Sequence, residues 1–251
     1  MKSLILAAGR GTRINEITRN YHKCLIKLQK KPLLKWQINA LSECSSKICV
    51  VTGYNESKIK ETLKQIKNIT FVRNKEWKSS NMFYSLLCAK EWVGNNDLII
   101  SYSDIFYSKL AIKKLYKEKS DISIIYDPNW YMLWNMRFNN PLDDAETFKL
   151  DSFSFLKEIG SRPKTIKECE GQFIGLIKIS KNGWSIINKN IEMIKERVKK
   201  IDTTTLLNFL ILKKVKIKAI PITDTWGEVD TFSDYKLYKK LLIKNYFKWM
   251  K

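Results

Sequence analysis

The chain contains little of the material from which zinc sites and disulfide frameworks are built. Among its 251 residues there is one histidine, and there are five cysteines with no Cys-x-x-Cys pair. An odd number of cysteines without paired spacing favours reduced thiols over a disulfide framework. We therefore expect a cytoplasmic protein.

Long hydrophobic runs are also missing, which bears on membranes. No apolar stretch is long enough to cross a bilayer. The apolar run near the N-terminus ends at Arg10, where a glycine-containing turn follows, so we do not interpret it as a signal peptide. We expect a soluble, intracellular protein with no membrane partner.

Acidic residues are few, since Lys and Arg outnumber Asp and Glu by 46 to 25 and give a formal charge of +21. Such a charge would suit nucleic acid, anionic lipid or acidic small substrates. It is spread over the whole chain, however, and no homeodomain, zinc-finger or aromatic RNA-reading motif is present. We therefore expect no nucleic-acid partner. The alternative from a different functional class is a basic nucleic-acid-binding protein, whose affinity for random DNA would fall steeply with salt concentration.

The order of the predicted elements indicates an α/β fold. Apolar runs at 4–8, 48–52 and 69–72 read as buried strands, and the segments 33–41 and 56–66 between them read as helices. This alternation predicts right-handed βαβ units and a Rossmann-like, doubly wound, mostly parallel sheet. Further strands are predicted at 98–102, 122–126, 177–179 and 215–220, further helices at about 79–92, 109–117, 180–200 and 234–251, and a β-hairpin pairing 147–150 with 153–159.

The stretch that follows the first predicted strand suits a phosphate-bearing ligand. Gly9 and Gly11 allow a tight turn that brings backbone N–H groups against a ligand, and Arg10, Arg13 and Lys23 add positive charge. The stretch is neither a dinucleotide fingerprint, which would need glycine at Ile14, nor a phosphate loop, which would need Gly-Lys-Ser/Thr. A nucleoside triphosphate is the ligand that we expect.

Three short motifs together resemble the signature of nucleotidyltransferases of the sugar-nucleotide pyrophosphorylase type. They are Leu-Ala-Ala-Gly-x-Gly-x-Arg at 6–13, Lys-Cys-Leu at 23–25 and Lys-Pro-Leu-Leu at 31–34. The resemblance implies one nucleotidyltransferase (GT-A-like) domain over 1–251, with a nucleotide-binding half at 1–121 and an acceptor-binding half at 122–251. It also implies nucleotide contacts from Leu6, Ala7, Ala8, Gly9, Arg10, Gly11 and Thr12, and catalytic charges on Arg13 and Lys23. His22 stands where the family usually has proline; it is either a loop residue or a catalytic group.

Two aspartates are candidate magnesium ligands. Ser103 and Asp104 follow an apolar strand, where α/β enzymes hold Mg²⁺ against phosphates. Asp230 lies in a Trp-x-Glu-Val-Asp pattern at 226–230, which resembles the second metal-binding motif of the nucleotidyltransferases. For each aspartate the alternative is a helix cap, because a predicted helix follows.

The segment before the helix at 79–92 has two interpretations. Ser79, Ser80 or Asn81 could cap that helix. The pattern Asn-x-x-Tyr-Ser-Leu at 81–86 also resembles phosphocholine cytidylyltransferases, and this resemblance implies that Ser80, Asn81 and Ser103 contact the nucleotide. Both interpretations stay open.

The long insertion in the second half contains the candidate acceptor residues. Trp130 or Trp134 could hold a cationic amine over an aromatic ring, and Asp144 or Glu146 could pair with it. Alternatively, the two tryptophans form one apolar helix face. Tyr126 and Gln172 are further candidates for binding the acceptor, and Gln172 lies in the Gly-Gln-Phe-x-Gly motif at 171–175. The patterns around these residues resemble cytidylyltransferases of small phosphorylated amines, amino acids and phosphonates, the phosphoglutamine enzymes of capsule modification above all.

These resemblances imply a Mg²⁺-dependent cytidylyltransferase. Its partners would be CTP and a small phosphorylated acceptor, with phosphoglutamine ahead of phosphocholine and 2-aminoethylphosphonate, and its second product would be pyrophosphate. A hexose-1-phosphate nucleotidyltransferase is the nearest alternative. A glycosyltransferase is less favoured, because residues 103–105 offer one carboxylate instead of an Asp-x-Asp pair. The final helix is expected to pack on the domain or on the partner subunit of a homodimer.

Overall fold

The protein is described by a computed structural model that covers residues 1–11, 14, 22–193 and 198–250. The larger strands are β1 (Lys2–Ala7), β4 (Lys47–Thr52), β5 (Ile69–Arg73), β6 (Leu98–Tyr102), β8 (Ile122–Asp127), β11 (Gln172–Ile179) and β12 (Lys218–Pro221). Short strands are β2 (Lys27–Leu28), β3 (Lys31–Pro32), β7 (Ile105–Phe106), β9 (Phe148–Leu150), β10 (Leu156–Ile159) and β13 (Gly227–Glu228).

The larger strands form one seven-stranded sheet in the order β12-β8-β11-β6-β1-β4-β5. Its pairs are parallel except where β11 lies antiparallel between β6 and β8. The expected mostly parallel α/β sheet is therefore confirmed. The chain leaves β1 toward β4 and later returns to β6 on its other side, and open α/β sheets bind ligands at the carboxyl ends of strands around such a reversal.

Helices cover both faces of this sheet. They are α1 (Leu33–Leu41), α2 (Glu56–Leu63), α3 (Met82–Cys88), α4 (Lys90–Val93), α5 (Lys109–Lys117), α6 (Trp130–Arg137), α7 (Lys181–Ile191), α8 (Thr203–Leu212) and α9 (Phe232–Ile243). Alternate side chains of β1 serve the two apolar layers: Ile5 and Ala7 face one, and Leu4 and Leu6 face the other. Among the described residues, no helix has both the length and the apolar character needed to cross a bilayer.

Several predicted boundaries differ from the structure. The helix expected at 79–92 is two short helices, α3 and α4, that meet at Ala89. The helix expected at 234–251 ends at Ile243, and the helix expected at 56–66 ends at Leu63. The last strand starts at Lys218 and lies at the edge of the sheet, whereas β11 begins five residues before its predicted start.

The small strands place the functional side chains. β7 pairs antiparallel with β13 so that Ile105 lies opposite Glu228. The Val229 N–H donates to the Asp104 carbonyl at 3.0 Å, which extends this ladder by one hydrogen bond. β9 and β10 form the predicted hairpin in the second half.

Candidate active site

The turn after β1 lies against the buried side chain of Lys23, the lysine of the second motif. Gly11 has a φ of +67°, and a Cβ at this position would lie 3.1 Å from the Lys23 Cβ. Leu6, Ala7 and Ala8 are buried, whereas Gly9 and Arg10 are exposed. The predicted contacts of Thr12 and Arg13 lie outside the described residues. The turn therefore offers accessible backbone beside a lysine.

Lys23 joins the two predicted metal ligands. Its ammonium donates to Asp104 Oδ2 at 2.8 Å and to Asp230 Oδ1. Burial works against the charged amine, but the two carboxylates outweigh it and raise the pKa of Lys23. Three distant parts of the sequence thus meet at one point.

A third carboxylate, Glu228, completes an acidic cluster. One carboxylate oxygen from each of Asp104, Glu228 and Asp230 lies within 4.8 Å of the others. The Asp104 Oδ1 atom is buried and has no hydrogen-bond partner among the described residues. Carboxylate oxygens are the ligands that Mg²⁺ prefers, and an orphaned buried oxygen is what an added cation would satisfy, so the cluster fits a divalent cation.

Neither aspartate caps the helix that follows it; other residues do so. The helix after Asp104 is capped by Ser108, whose hydroxyl accepts from the Leu110 N–H at 3.2 Å. The helix after Asp230 begins with a capping box made by Thr231 and Asp234. Their metal role stays a prediction, now with a geometry that suits it.

Sequence reasoning missed Glu228 and its buried partner Arg137. The Arg137 side chain is fully buried and lies 3.3 Å from Glu228 Oε2, 3.7 Å from Asp230 Oδ2 and 3.0 Å from Asp234 Oδ1. Glu228 lies within the Trp-x-Glu-Val-Asp pattern at 226–230, so the sequence contained enough to predict it. Arg137 carries no such signal, because nothing in the sequence links α6 to residues some ninety positions later.

His22 supports the backbone beneath the turn. Its Nδ1 accepts from the Cys24 N–H at 3.2 Å and so caps the short 3₁₀ turn Lys23–Leu25. Its Nε2 is buried without a hydrogen-bond partner among the described residues. The nearby backbone of Gly9 and Ala7 acts to raise the pKa of the ring, against the larger effect of burial. Burial lowers the pKa of His22 to about 4, so the imidazole is neutral at physiological pH.

The polar residues predicted to face the nucleotide have local partners. Asn81 caps α3, with its Oδ1 accepting from the Met82 N–H at 2.8 Å. The Ser80 hydroxyl donates to the Glu76 carbonyl at 2.8 Å. Ser103 is buried between β6 and Asp104. Contacts of these three with a nucleotide stay predictions.

Glu146 is the predicted acceptor residue whose surroundings are most unusual for its type. Gln172 fixes its backbone, with Oε1 accepting from the Glu146 N–H at 2.9 Å and Nε2 donating to the Glu146 carbonyl. Burial, together with the charge of Asp202, raises the pKa of Glu146 to about 7. The Thr204 hydroxyl lies 3.5 Å from its carboxylate. Asp202 and Thr204 were not predicted as acceptor residues; the sequence indicates only that 202–206 begin a helix, and Asp202 caps it.

Tyr102 links this region to the acidic cluster. Burial raises the pKa of its phenol, and nearby negative charges raise it further. Those charges are Asp202, Glu146 and Asp104. Glu146, a predicted acceptor residue, and Asp104, a predicted metal ligand, are therefore both close enough to act on one side chain.

The other predicted acceptor residues lie mostly in the core. Trp130 and Trp134 are each 3% exposed on α6, as the helix-face interpretation expects, and the Trp130 indole donates to the Cys169 carbonyl at 2.9 Å. Tyr126 stacks on Phe148 with ring centroids 5.0 Å apart. Asp144 lies just after a short 3₁₀ turn and before Glu146. Their role in acceptor binding stays a prediction.

Comparison with known proteins identifies relatives over nearly the whole chain. A sequence model of the MobA-like NTP transferase domain matches residues 3–134. The chain is 33% identical over 250 residues to a CTP:phosphoglutamine cytidylyltransferase of Campylobacter jejuni, an alignment that covers 94% of this chain and 98% of that protein. It is 36% identical over 107 residues to a choline-phosphate cytidylyltransferase of Streptococcus pneumoniae, which covers 42% of this chain and 46% of that protein.

The fold also has a close counterpart among solved structures. The inositol-1-phosphate CTP transferase from T. maritima superimposes with a TM-score of 0.75 over 96% of this chain and 95% of its own. Sequence identity between the two is 16%, so this likeness concerns the fold.

Proposed function

The chain is a nucleotidyltransferase of the MobA-like NTP transferase family, and on that premise we propose that it transfers CMP from CTP to a small phosphorylated amine or amino acid. The observation that carries the proposal is the convergence of Lys23, Asp104 and Asp230 beside the glycine turn. The near full-length similarity to a phosphoglutamine enzyme supports phosphoglutamine as the acceptor. The shorter match to a choline-phosphate enzyme supports phosphocholine as the second candidate.

In the proposed reaction an oxygen of the acceptor phosphate attacks the α-phosphorus of CTP. The bond from the α-phosphorus to its bridging oxygen breaks, and pyrophosphate leaves with that oxygen and its electron pair. The second pKa of a phosphate monoester is about 6, so the nucleophile is largely ionised at neutral pH and needs no general base. What the protein must supply is alignment and neutralisation of charge.

We assign the triphosphate to the glycine turn and its cations. The exposed backbone at Gly9 and the half-buried backbone at Gly11 can approach the phosphates closely, and Lys23, with Arg13, would stabilise their negative charge. Asp104, Asp230 and Glu228 would hold Mg²⁺, which when bound neutralises charge on the phosphates. In this proposal residues 1–121 bind the nucleotide and residues 122–251 bind the acceptor.

We assign the amine of the acceptor to Glu146. The Gln172 side chain holds the backbone of Glu146 through two hydrogen bonds, and the Glu146 carboxylate lies near a second acid, Asp202. An acidic pair suits an ammonium group better than the hydroxyls of a hexose, which favours a phosphorylated amine over a sugar phosphate. All five cysteines are free thiols, which supports the cytoplasm as the compartment.

A pyrophosphate-release screen tests this proposal. The purified protein is incubated with Mg²⁺ and each of the four ribonucleoside triphosphates, crossed with phosphoglutamine, phosphocholine, 2-aminoethylphosphonate and glucose 1-phosphate. We expect release with CTP and a phosphorylated amine or amino acid. Release with glucose 1-phosphate alone, or with no acceptor at all, would contradict the proposed acceptor class.

A further inference from the structure

Two cationic side chains share the acidic cluster of Asp104, Glu228 and Asp230. Lys23 binds Asp104 and Asp230, whereas Arg137 binds Glu228 and lies 3.7 Å from Asp230. Both cations offset repulsion among the three carboxylates. They differ in how firmly the rest of the protein holds them.

Arg137 is anchored independently of the cluster. Its guanidinium donates to both carboxylate oxygens of Asp234, at 3.0 and 3.3 Å, and lies 5.1 Å from the Trp134 ring and 4.9 Å from the Phe138 ring. Its side chain is fully buried. A planar guanidinium that one carboxylate binds along an edge and that lies over two aromatic rings has no short route to another position.

Lys23 has no comparable anchor among the described residues. The hydrogen bonds of its ammonium go to Asp104 and Asp230, the same two carboxylates that suit a metal. Its side chain passes beside Gly11, with the Cδ 3.3 Å from where a Cβ would lie on that glycine. A compact ammonium on a flexible four-carbon stem can therefore turn from the acids toward a ligand on the glycine turn.

We propose that Lys23 and the divalent cation are alternative partners of Asp104 and Asp230. An ammonium and a divalent cation repel each other, so the oxygens that hold one cannot hold the other at full strength. Lys23 then moves to the triphosphate when the cation binds, while Arg137 stays in place. Nucleotide binding and metal binding are thereby coupled through one side chain. This inference rests on the proposed function, because it takes the acidic cluster as the metal site.

The inference predicts opposite effects of one substitution on binding and turnover. Removing the ammonium in Lys23→Met should tighten binding of Mn²⁺ in the absence of nucleotide by on the order of ten-fold, because the cation no longer competes with two charge-assisted hydrogen bonds. The same variant should lose on the order of 10²-fold in turnover, because the triphosphate loses a charge partner. If Lys23 had only a structural role, its removal would lower both the affinity for Mn²⁺ and the turnover.

Mn²⁺ binding to the full-length protein, followed by the electron paramagnetic resonance signal of the free ion, measures this effect. Lys27→Met is the matched control, since it removes the same charge from an exposed lysine four residues away. Lys23→Gln serves as the second variant should the methionine variant not fold. We expect tighter binding in the Lys23 variants and unchanged binding in Lys27→Met.

Three results would overturn the inference. Binding by the Lys23 variants that is equal to or weaker than wild type would show that lysine and metal do not compete. Equal tightening in Lys27→Met would show a general charge effect. If an Asp104→Asn, Asp230→Asn double variant bound Mn²⁺ with wild-type affinity, these aspartates would not be the metal ligands. That result would contradict the metal site of the proposed function as well.

Discussion

The charge state of His22 follows from its place beneath the glycine turn. The ring is almost fully buried. Its Nδ1 accepts a hydrogen bond from the Cys24 N–H, and a protonated Nδ1 could not accept one. The folded protein therefore holds a neutral imidazole. This position suits a residue that replaces a backbone-stiffening proline better than one that exchanges protons with substrate.

Protonation of His22 should contribute to acid sensitivity. The pKa falls from 6.5 to about 4 on folding, so between these pH values the unfolded chain binds a proton that the folded protein excludes. The free energy of unfolding should therefore decrease as the pH is lowered from 6.5 to 4, by about 3 kcal/mol from this group at 1.36 kcal/mol per pKa unit.

Urea unfolding at pH 7, 5.5 and 4 measures this contribution in wild type and His22→Asn. Asparagine keeps an acceptor for the Cys24 N–H but does not titrate in this range. The difference in unfolding free energy between the two proteins should shrink, or change sign, as the pH falls. A difference that stays constant with pH would contradict the assignment.

Glu146 is the second residue whose titration has a functional consequence. Burial and the charge of Asp202 raise its pKa to about 7, so the carboxylate is fully charged only above neutral pH. The KM for a phosphorylated amine should therefore fall as the pH rises from 6 to 8. Glu146→Gln should raise KM on the order of ten-fold at pH 8, as the loss of a charge-assisted bond predicts.

Initial rates measured against acceptor concentration at each pH test this effect. The glutamine variant is also the control for titration of the acceptor phosphate, because any pH dependence that it retains belongs to the substrate. An unchanged pH profile in Glu146→Gln would show that this carboxylate does not bind the amine.

At this scale, the sequence predicted residues that belong to compact motifs. Asp104 and Asp230 were predicted as metal ligands because one follows an apolar strand and the other lies in the Trp-x-Glu-Val-Asp pattern, and Lys23 was predicted because it lies in the Lys-Cys-Leu motif. Arg137 could not be predicted: its function depends on α6 packing near β13, and an arginine near the end of a predicted helix reads as a solvated C-terminal charge. Tertiary packing alone makes it the partner of three acids.

Among the elements, the turn after β1 depends on a close approach by the end of β4. The Ala8 carbonyl accepts from the Tyr54 N–H at 3.0 Å. A Cβ at Gly53 would lie 2.6 Å from that carbonyl oxygen and 2.6 Å from the Trp77 Cβ. Only glycine allows the backbone of this segment to pass so near.

Gly53→Ala should therefore destabilise the protein by roughly 1–3 kcal/mol, as overpacking against backbone does. Gly9→Ala is the matched control, because no described atom lies within 4 Å of a Cβ added there. Its effect on stability should be below about 0.5 kcal/mol. Urea midpoints of the two variants provide the comparison, and equal destabilisation would contradict the close-approach argument.

Elements with strong local signals were predicted well, and their ends less well. The helix at 109–117 matches α5 in both bounds, because its apolar face is regular and Ser108 caps it. The final helix was predicted too long because its aromatic residues continue past Ile243. In the structure Asn245 adopts a φ of +55° and turns the chain, so that Phe247 returns to the core. Local periodicity does not reveal such a reversal.

At the scale of the whole molecule, the site lies where the two halves of the sequence meet. Asp104 follows β6 in the first half, and Glu228 and Asp230 belong to the second half, joined to it through the β7–β13 ladder. Alternating strands and helices predicted the parallel sheet. The antiparallel direction of β11 was not predicted, because a buried strand has the same apolar pattern in either direction and the preceding insertion hides the crossover.

The most direct test of the central claim is the Mg²⁺ dependence of pyrophosphate release from CTP and phosphoglutamine by wild type and by the Asp104→Ala, Asp230→Ala double variant. If these carboxylates hold the ion that serves the triphosphate, the wild-type rate rises from near zero with added Mg²⁺. The variant then stays at least about 10²-fold slower at every concentration. Mg²⁺-stimulated release by the double variant at a rate near that of wild type would contradict the account.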